Sequence, residues 1–184
     1  MKNPLLIVGI IVVFVGLYVW TAYNGLVTKN EAVDKQWAQV ETSYQRRFDL
    51  IPSLVASVQG IFKQEQAVFG AIAEARTRYA GAITVDEKIA ATAQVESALA
   101  RLLAIVESYP SLNSSQSIRN LMTQLEGTEN RINVERQRFN DAVNAFNLSI
   151  KRFPNNMLAS SFGFHERTYF QATIGAEKAP DVKF

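Results

Sequence analysis

An apolar run without a charged residue lies near the N-terminus and is the strongest pattern in the sequence. No charge occurs between Lys2 and Lys29. About 20 consecutive apolar residues are enough for a helix to cross the hydrocarbon core of a bilayer. The pattern predicts a single transmembrane helix within residues 1–23.

Three aromatic residues, Tyr18, Trp20 and Tyr23, cluster at the downstream end of this run. Aromatic side chains are enriched where a helix leaves the membrane, so we assign these three to the membrane interface. They occupy the place where small residues would precede the cleavage site of a signal peptide, which favours an uncleaved anchor over a cleaved leader. Gly9 and Gly16 lie seven residues apart and either mark a close-packing face or face lipid.

The basic residues that flank the anchor leave its orientation nearly undetermined. Lys2 lies upstream, whereas Lys29 and Lys35 lie downstream, so the count of Lys and Arg almost balances. The upstream charge lies closer to the membrane and favours a cytoplasmic N-terminus with an exported domain.

Beyond the anchor, apolar residues recur at steps of three and four, the spacing of one helix face. The first such segment comprises Leu26, Asn30, Val33, Trp37, Val40, Tyr44 and Phe48. Asp49 can cap a new helix, and Pro52 is tolerated in a first turn but not in an interior. We therefore expect a turn or sharp bend at residues 49–52, and the alternative is one long helix that kinks there.

Two further helices are predicted from their ends. The second runs from Leu54 onward, and Gly81 can end it. Thr84 and Glu87 form the pattern of a capping box that opens the third helix, and Pro110 stops that helix.

The fourth segment is a heptad seam sustained over five repeats that ends at Pro154. Its members are Ile118, Met122, Leu125, Glu129, Ile132, Arg136, Phe139, Val143, Phe146, Ile150 and Phe153.

Two positions of this seam, Glu129 and Arg136, are polar. We interpret them as a polar layer inside the bundle that pairs with Arg46, Arg47 or Asp49, and the alternative is a seam that opens to solvent there. Buried polar pairs stabilise little but can fix register and partner. If the layer requires no partner, Glu129→Leu should stabilise the bundle.

Four amphipathic helices with short connections predict an all-α fold, in which the transmembrane helix is followed by an antiparallel, up-and-down helical bundle. The predicted boundaries are residues 1–23 for the anchor, 24–153 for the bundle and 154–184 for an irregular, aromatic-rich tail. The fourth helix of such a bundle returns toward the membrane, so the tail lies near the bilayer unless residues 49–52 only kink one long helix.

The end of the fourth helix and the tail combine basic and aromatic residues. We assign Lys151, Arg152, Phe162 and Phe164 to the membrane interface, where a basic side chain contributes on the order of 1 kcal/mol on anionic lipid. The alternative is that the tail packs back on its own bundle as a cap.

Composition removes most catalytic chemistry from consideration. The chain of 184 residues has no cysteine and one histidine, His165, which excludes disulfides, thiolate sites and multi-histidine zinc or di-iron sites. No phosphate-binding loop, HExxH or EF-hand pattern occurs. A net charge of +2 is too balanced to indicate nucleic-acid binding. We expect no catalytic, cofactor-binding or metal-binding residue and no nucleic-acid partner.

Several blocks along the chain resemble the signature of the LemA family. They are Tyr23–Val27, Arg46–Val55, Glu74–Arg76, Tyr109–Pro110, Glu126–Ile132, Phe139–Val143, Phe153–Pro154 and Phe162–Phe164. The resemblance covers essentially the whole chain, and its Arg-Arg-x-Asp-Leu-Ile-Pro and Thr-Glu-Asn-Arg-Ile blocks are long and specific. Residues 61–65 depart from it, because Ile-Phe-Lys-Gln-Glu stands where the family usually has Tyr, Ala and His before the Glu.

The resemblance implies a bacterial protein with one N-terminal transmembrane helix and a helical-bundle domain, whose molecular function is poorly defined. The usual topology prediction for the family puts the N-terminus outside, against the weak preference of the flanking charges.

These observations favour a non-enzymatic scaffold that is anchored in the bacterial cytoplasmic membrane by a single pass and self-associates there, using the long heptad seam as a coiled-coil contact. Confinement to a membrane raises effective concentration, so weak lateral contacts suffice. The expected partners are the lipid bilayer and further copies of the chain. The alternative is an adaptor or sensor whose bundle docks another membrane protein.

Overall fold

The chain is built from helices over the part that a computed structural model describes, residues 4–59, 66–109 and 115–170. No β-strand occurs within these ranges, and the predicted all-α fold class is confirmed. The helices are α1 (Pro4–Gln59), α2 (Gln66–Gly81), α3 (Val85–Ser108), α4 (Gln116–Lys151) and α5 (Asn155–Ala159), followed by a 3₁₀ turn at Ser160–Phe162.

The described residues divide into two compact units. The first unit contains residues 4–39 and 137–169, and the second contains residues 40–136 and Phe170. α1 and α4 contribute to both units, whereas α2 and α3 lie in the second and α5 lies in the first.

In the first unit, the N-terminal part of α1 packs antiparallel to the C-terminal part of α4. Trp37 of α1 meets Phe139 of α4 edge to face, with 5.4 Å between the ring centroids. Farther toward the N-terminus, the hydroxyl of Tyr18 donates to Oδ1 of Asn155 at 2.9 Å. Residue numbers therefore decrease along α1 in the direction in which they increase along α4 and into α5, which is the predicted antiparallel arrangement.

In the second unit, α1 and α3 run in the same direction. Glu41 of α1 forms a salt bridge with Lys88 of α3, and Tyr44 of α1 donates to Glu96 of α3 at 3.1 Å. Positions rise together along the two helices.

The other two helices of the second unit run against α1. Arg47 and Tyr44 of α1 contact Glu129 and Arg136 of α4, respectively, so positions in α1 rise as those in α4 fall. α2 packs against α3 and is joined to it by a short turn at residues 82–84, which makes this pair antiparallel. The four helices therefore follow the up-and-down order.

The expected turn at residues 49–52 is wrong, because α1 continues through it and carries Pro52 inside the helix. A proline in a helix interior removes one backbone hydrogen bond and costs about 3 kcal/mol. Phe48, Ile51 and Leu54 are each at most 4% exposed on either side of it, while Pro52 faces solvent. Burying each of these side chains contributes about 1.5–3 kcal/mol, which together outweighs the local cost.

The alternation of helix directions in the bundle is nevertheless the predicted one. α1 ends at Gln59, and α2 begins at Gln66 in the opposite direction, so the reversal of direction comes later in the sequence than expected. The C-terminal part of α4 still lies beside the N-terminal part of α1, as the bond between Tyr18 and Asn155 shows.

The predicted C-terminal end of α2 and the predicted start of α3 are confirmed, whereas the second helix begins at Gln66 and not near Leu54. α2 ends at Gly81. Oγ1 of Thr84 accepts the N–H of Glu87 at 3.2 Å, and Oε2 of Glu87 accepts the N–H groups of Thr84 and Ile83 at 3.0 and 2.9 Å. The capping box is therefore complete. The predicted stop at Pro110 lies outside the described residues.

The predicted seam of α4 is buried within the chain's own helices. Phe139, Val143 and Phe146 are at most 1% exposed in the first unit, and Ile132 is fully buried in the second. Phe153, the last predicted member, follows the end of α4 and is 79% exposed. The buried positions are filled internally, so they cannot also form a coiled coil with a second copy.

The N-terminal part of α1 carries large apolar side chains that the described chain leaves uncovered. Leu5, Leu6 and Phe14 are 85%, 62% and 68% exposed. Both α1 and α3 are long and apolar enough to cross a membrane, but Leu99 and Leu102 of α3 are buried in the bundle. The uncovered segment of α1 is the membrane-spanning candidate, and the protein is membrane-associated.

Replacing Pro52 with alanine tests the continuity of α1. The change restores a backbone N–H and its hydrogen bond, so the free energy of unfolding should rise by about 1–3 kcal/mol. Urea unfolding followed by circular dichroism measures this difference, and Ser53→Ala, at the neighbouring exposed position, serves as the control. A loss of stability in Pro52→Ala would mean that the chain needs a proline turn here.

The capping box predicts a dependence of stability on pH. The backbone N–H groups of Thr84 and Ile83 hold the pKa of Glu87 below its ordinary value. A carboxyl whose pKa is lowered by folding stabilises the protein above the unfolded pKa of about 4.3, and the effect is lost as the pH falls through the folded value. Stability should therefore decline on acidification through this window, and by less in Glu87→Gln. Equal declines in both proteins, measured by urea unfolding at a series of pH values, would contradict the assignment.

Candidate functional site

The first candidate site is a polar layer in the second unit, formed by Arg47, Glu96, Glu129 and Arg136. Arg47 of α1 forms a salt bridge with Glu129 of α4, and Arg136 of α4 forms one with Glu96 of α3. Two bases and two acids leave the layer without net charge. The structure thus brings together three of the residues predicted for this layer: Arg47, Glu129 and Arg136.

Tyr44 joins the polar layer to the aromatic side chains around it. Its hydroxyl donates to Oε1 of Glu96 at 3.1 Å and accepts a hydrogen bond from Arg136. The guanidinium of Arg136 also lies 4.4 Å from the ring centroid of Phe170, within the range of a cation–π contact. Burial raises the pKa of Tyr44 although Arg136 opposes it, so the hydroxyl remains protonated and can keep donating.

Arg47 depends on Glu129 for compensation of its charge. The side chain of Arg47 is 7% exposed, and that of Glu129 is 36% exposed. Within the described part of the chain, Nε of Arg47 has no hydrogen-bond partner. A buried charge that loses its partner is strongly destabilising, so this pair constrains how α1 and α4 align in the second unit.

Arg46 and Asp49 do not enter the polar layer. Both are exposed, and Asp49 accepts a hydrogen bond from Gln45 on its own helix at 2.8 Å. Arg46 instead lines a cavity together with Arg76 of α2. Successive residues of a helix point about 100° apart, so adjacent arginines cannot both face the bundle interior.

Glu96 is a member of the layer that the sequence interpretation missed. It lies on α3 between Thr92 and Leu99, both of which are buried. A carboxylate at this spacing on the buried face of a helix was the signal that could have identified it.

The second candidate site is a tail cluster in the first unit, formed by Tyr18, Tyr23, Asn155, Phe162 and Phe164. The ring of Tyr23 lies 5.1 Å from that of Phe162 and 6.0 Å from that of Phe164, measured between centroids. The hydrogen bond from Tyr18 to Asn155 closes the cluster on the N-terminal side. The predicted interfacial residues of α1 and of the tail therefore contact one another.

A glycine turn allows both phenylalanines to reach Tyr23. Gly163 has a φ of 76°, a backbone conformation that glycine adopts without steric cost. The N–H of Gly163 donates to the carbonyl of Ser160, and the N–H of Phe164 donates to that of Ala159. The chain reverses at this point, so Phe162 and Phe164 flank the turn.

Arg167 fixes the remainder of the described tail on α1 and α4. Its Nη2 donates to Asn30 at 2.9 Å and to Asp34 at 3.0 Å. Its backbone N–H donates to Oδ1 of Asn147 at 2.9 Å, and Nδ2 of Asn147 returns a hydrogen bond at 2.8 Å. The tail therefore packs on its own helices, as the alternative interpretation expected. Asn30, the polar position in the first apolar segment, was the signal for this contact.

The other predicted interfacial residues lie near the same end of the first unit. Trp20 is 65% exposed, and Arg152 is exposed. Nζ of Lys151 lies 2.8 Å from Glu166, and this hydrogen bond raises the pKa of Lys151. Contact of these side chains with lipid stays a prediction.

A groove of about 800 Å³ lies between α3 and α4 in the second unit. Apolar side chains, among them Leu99, Leu103 and Met122, line part of it, and Glu107 and Glu126 add acidic charge. The described residues contain no group of three or more His, Asp or Glu side chains arranged to hold a metal ion, here or elsewhere.

Comparison with known proteins gives matches over most of the chain. The family model described as the LemA family matches residues 36–184. Magnetosome protein MamQ 2 of Paramagnetospirillum magneticum is 28% identical over 81% of this chain, and magnetosome protein MamQ of Magnetospirillum gryphiswaldense is 27% identical over 80% of it. The chain covers 64% of the length of each of these relatives.

Removing Glu129 tests whether the polar layer requires its partner. Glu129→Leu should lower the free energy of unfolding by about 2–4 kcal/mol, because Arg47 is left buried and unpaired. This loss of stability is the opposite of the gain expected if Glu129 had no required partner in the layer. Adding Arg47→Met should recover most of the loss, and the exposed Glu126→Leu should change stability by less than about 0.5 kcal/mol. A stabilised Glu129→Leu single variant, in urea unfolding, would contradict the dependence of Arg47 on this carboxylate.

Spin labels test whether the tail cluster lies at the membrane surface. The chain has no cysteine, so Met157→Cys and Val134→Cys each offer a single labelling site. Met157 is 67% exposed in the first unit, and Val134 is 46% exposed in the second. In vesicles, power saturation should show more oxygen and less aqueous nickel chelate at position 157 than at position 134. The same aqueous accessibility at both positions would exclude an interfacial tail.

Proposed function

The chain belongs to the LemA family, as its motif blocks predicted, and we propose from this premise that it is a non-enzymatic scaffold of the bacterial cytoplasmic membrane. A single pass anchors it, and copies associate laterally through that anchor. The observation that carries the proposal is the uncovered apolar segment of α1 with its open glycine face.

The glycine face consists of Gly9 and Gly16. A Cβ atom built on either residue meets no other atom within 4 Å, so the described chain does not occupy this face. Seven residues make almost two helical turns and leave the two glycines within about 20° of the same direction. Small residues let transmembrane helices approach closely and gain van der Waals contact. A second anchor fits this face without displacing any described part of the chain.

The heptad seam cannot supply the same contact. Ile132, Phe139 and Phe146 are already buried inside the chain, and separating them from their neighbours would cost several kcal/mol. Self-association through the anchor keeps the bundle intact, and confinement to the membrane compensates for a small contact area.

The relatives support a structural role. Those named above are called magnetosome proteins, a name for components of a structure and not for a reaction. The polar layer also supports this role. Glu129 and Glu96 each form a salt bridge with an arginine, which suits a structural contact better than a carboxylate that exchanges protons with a substrate.

An adaptor is the second candidate function, and the groove between α3 and α4 favours it. Its apolar residues and the acidic side chains of Glu107 and Glu126 suit a basic amphipathic helix of another membrane protein, which would bind by helix-in-groove recognition. Such a partner would be held at fixed stoichiometry.

Closing the glycine face tests the scaffold against the adaptor. Gly9→Ile combined with Gly16→Ile should reduce the number of chains per particle, because branched side chains separate the anchors. Native mass analysis of the full chain in lipid nanodiscs measures this number. Ile11→Phe adds bulk on roughly the opposite face and should leave the number unchanged.

The possible results separate the two functions. A homo-oligomer that the paired glycine variant dissociates supports the scaffold. A wild-type chain that is monomeric, or that is bound to a foreign protein at fixed stoichiometry whatever the residue at positions 9 and 16, contradicts the scaffold and favours the adaptor.

A further inference from the structure

A cavity of about 510 Å³ lies in the second unit, where α1, α2 and the start of α3 meet. Its volume falls in the range of sites that hold small ligands. Neither the polar layer nor the tail cluster uses it. It is lined in part by Arg46 and Arg76, which belong to two of the motif blocks found in the sequence and have no place in the proposed scaffold.

The charge of this cavity is positive. Lys88 and Glu41 line it and neutralise one another in a salt bridge. The guanidinium groups of Arg46 and Arg76 add two further positive charges, and both side chains are solvent-exposed. Guanidinium groups are planar arrays of donors that match the oxygens of phosphate and carboxylate groups. The cavity is therefore complementary to an anion.

Tyr79 adds an independent polar group to this cavity. It lines the same cavity and is only 8% exposed, yet its buried hydroxyl has no hydrogen-bond partner among the described groups. Burial and the nearby Glu41 carboxylate raise the pKa of Tyr79, so this hydroxyl remains a donor at neutral pH. Buried polar groups in native proteins are nearly always hydrogen-bonded. The hydroxyl is closed off from water in this structure, so a ligand oxygen in the cavity would satisfy it once the exposed side chains of the cavity wall move aside.

The position of the Tyr79 hydroxyl is fixed by packing. Its ring lies 5.3 Å from that of Tyr44 and 5.1 Å from that of Phe48, measured between centroids. The donor is thus held in place before any ligand arrives, which reduces the entropy lost on binding.

We propose that this cavity binds a phosphate group, with Arg46 and Arg76 donating to its oxygens and the Tyr79 hydroxyl completing the set of donors. A tetrahedral oxyanion offers acceptors in several directions and so can engage α1 and α2 together. The phosphate is either inorganic phosphate or the monoester headgroup of a lipid such as phosphatidic acid, and both present the same oxygens. This site is independent of self-association through the anchor.

Calorimetric titration of inorganic phosphate into the full chain in a nonionic, phosphate-free detergent tests the site. Arg46→Gln and Arg76→Gln should each weaken binding about tenfold or more, because each removes a charge-assisted hydrogen bond. Arg78→Gln is the matched control, since Arg78 lies on the same helix, pairs with Glu74 and does not line this cavity. It should leave the affinity unchanged.

Tyr79→Phe separates ligand binding from stability. The hydroxyl has no hydrogen-bond partner among the described residues, so its removal should not lower the melting temperature without phosphate. The same variant should weaken phosphate binding several-fold. A melting temperature that falls without phosphate, together with an unchanged affinity, would show that the hydroxyl serves the fold alone and would overturn its role in the site.

A second titration with short-chain phosphatidic acid identifies the source of the phosphate. Tighter binding than inorganic phosphate, lost in Arg76→Gln, assigns a lipid headgroup, whereas equal binding of the two assigns free phosphate. The proposal is overturned if neither probe binds saturably, or if Arg78→Gln weakens binding as much as Arg76→Gln does.

Discussion

The first part of α1 has apolar side chains that the described residues leave uncovered, and the need to surround them with an apolar medium constrains the rest of the molecule. α1 extends over 56 residues, so the helix that carries this segment also carries the packing face of the bundle. Leu26, Val33 and Trp37 are buried in the first unit, only a few residues beyond the exposed stretch. α1 continues without a break from the exposed stretch to these buried residues.

The described part of the tail contacts the same stretch of α1. Tyr18 and Tyr23 lie at the end of the apolar stretch, and they are engaged by Asn155, Phe162 and Phe164. Tyr18 and Tyr23 are aromatic residues of the kind found at membrane interfaces, and they also contact the tail within the first unit. Arg167 adds polar contacts to Asn30 and Asp34 farther along α1.

The second unit is specified by charge as well as by apolar packing. Aliphatic seams tolerate slippage by a helical turn, because one branched side chain can replace another at modest cost. A buried Arg47 beside Glu129 does not tolerate it, since a shift leaves the charge unpaired. Arg136 imposes the same condition through Glu96 and Tyr44. Arg46 and Arg76 take no part in this layer and line the cavity instead.

Sequence patterns were enough to predict the elements of this protein wherever a local signal specifies them. Helical periodicity located the packing faces of α1 and α4, the capping box located the start of α3, and the uncharged N-terminal run located the candidate anchor. The motif blocks identified the family. The periodicity, the capping box and the uncharged run each depend on residues close in the chain, through backbone hydrogen bonding, helix geometry or transfer of apolar side chains from water.

Features that depend on contacts between distant segments could be established from the folded arrangement alone. A local rule for proline predicts a break at Pro52, but burial of Phe48, Ile51 and Leu54 against other helices outweighs the lost hydrogen bond. Arg46 and Arg47 are adjacent residues of the same type, so the sequence does not distinguish their roles. The direction of each side chain relative to the neighbouring helices places Arg47 in the polar layer and Arg46 at a cavity. Glu96 and Arg167 gain their roles in the same way. Their partners are many positions away, and electrostatic and packing energies depend on distance in space and not on distance along the chain.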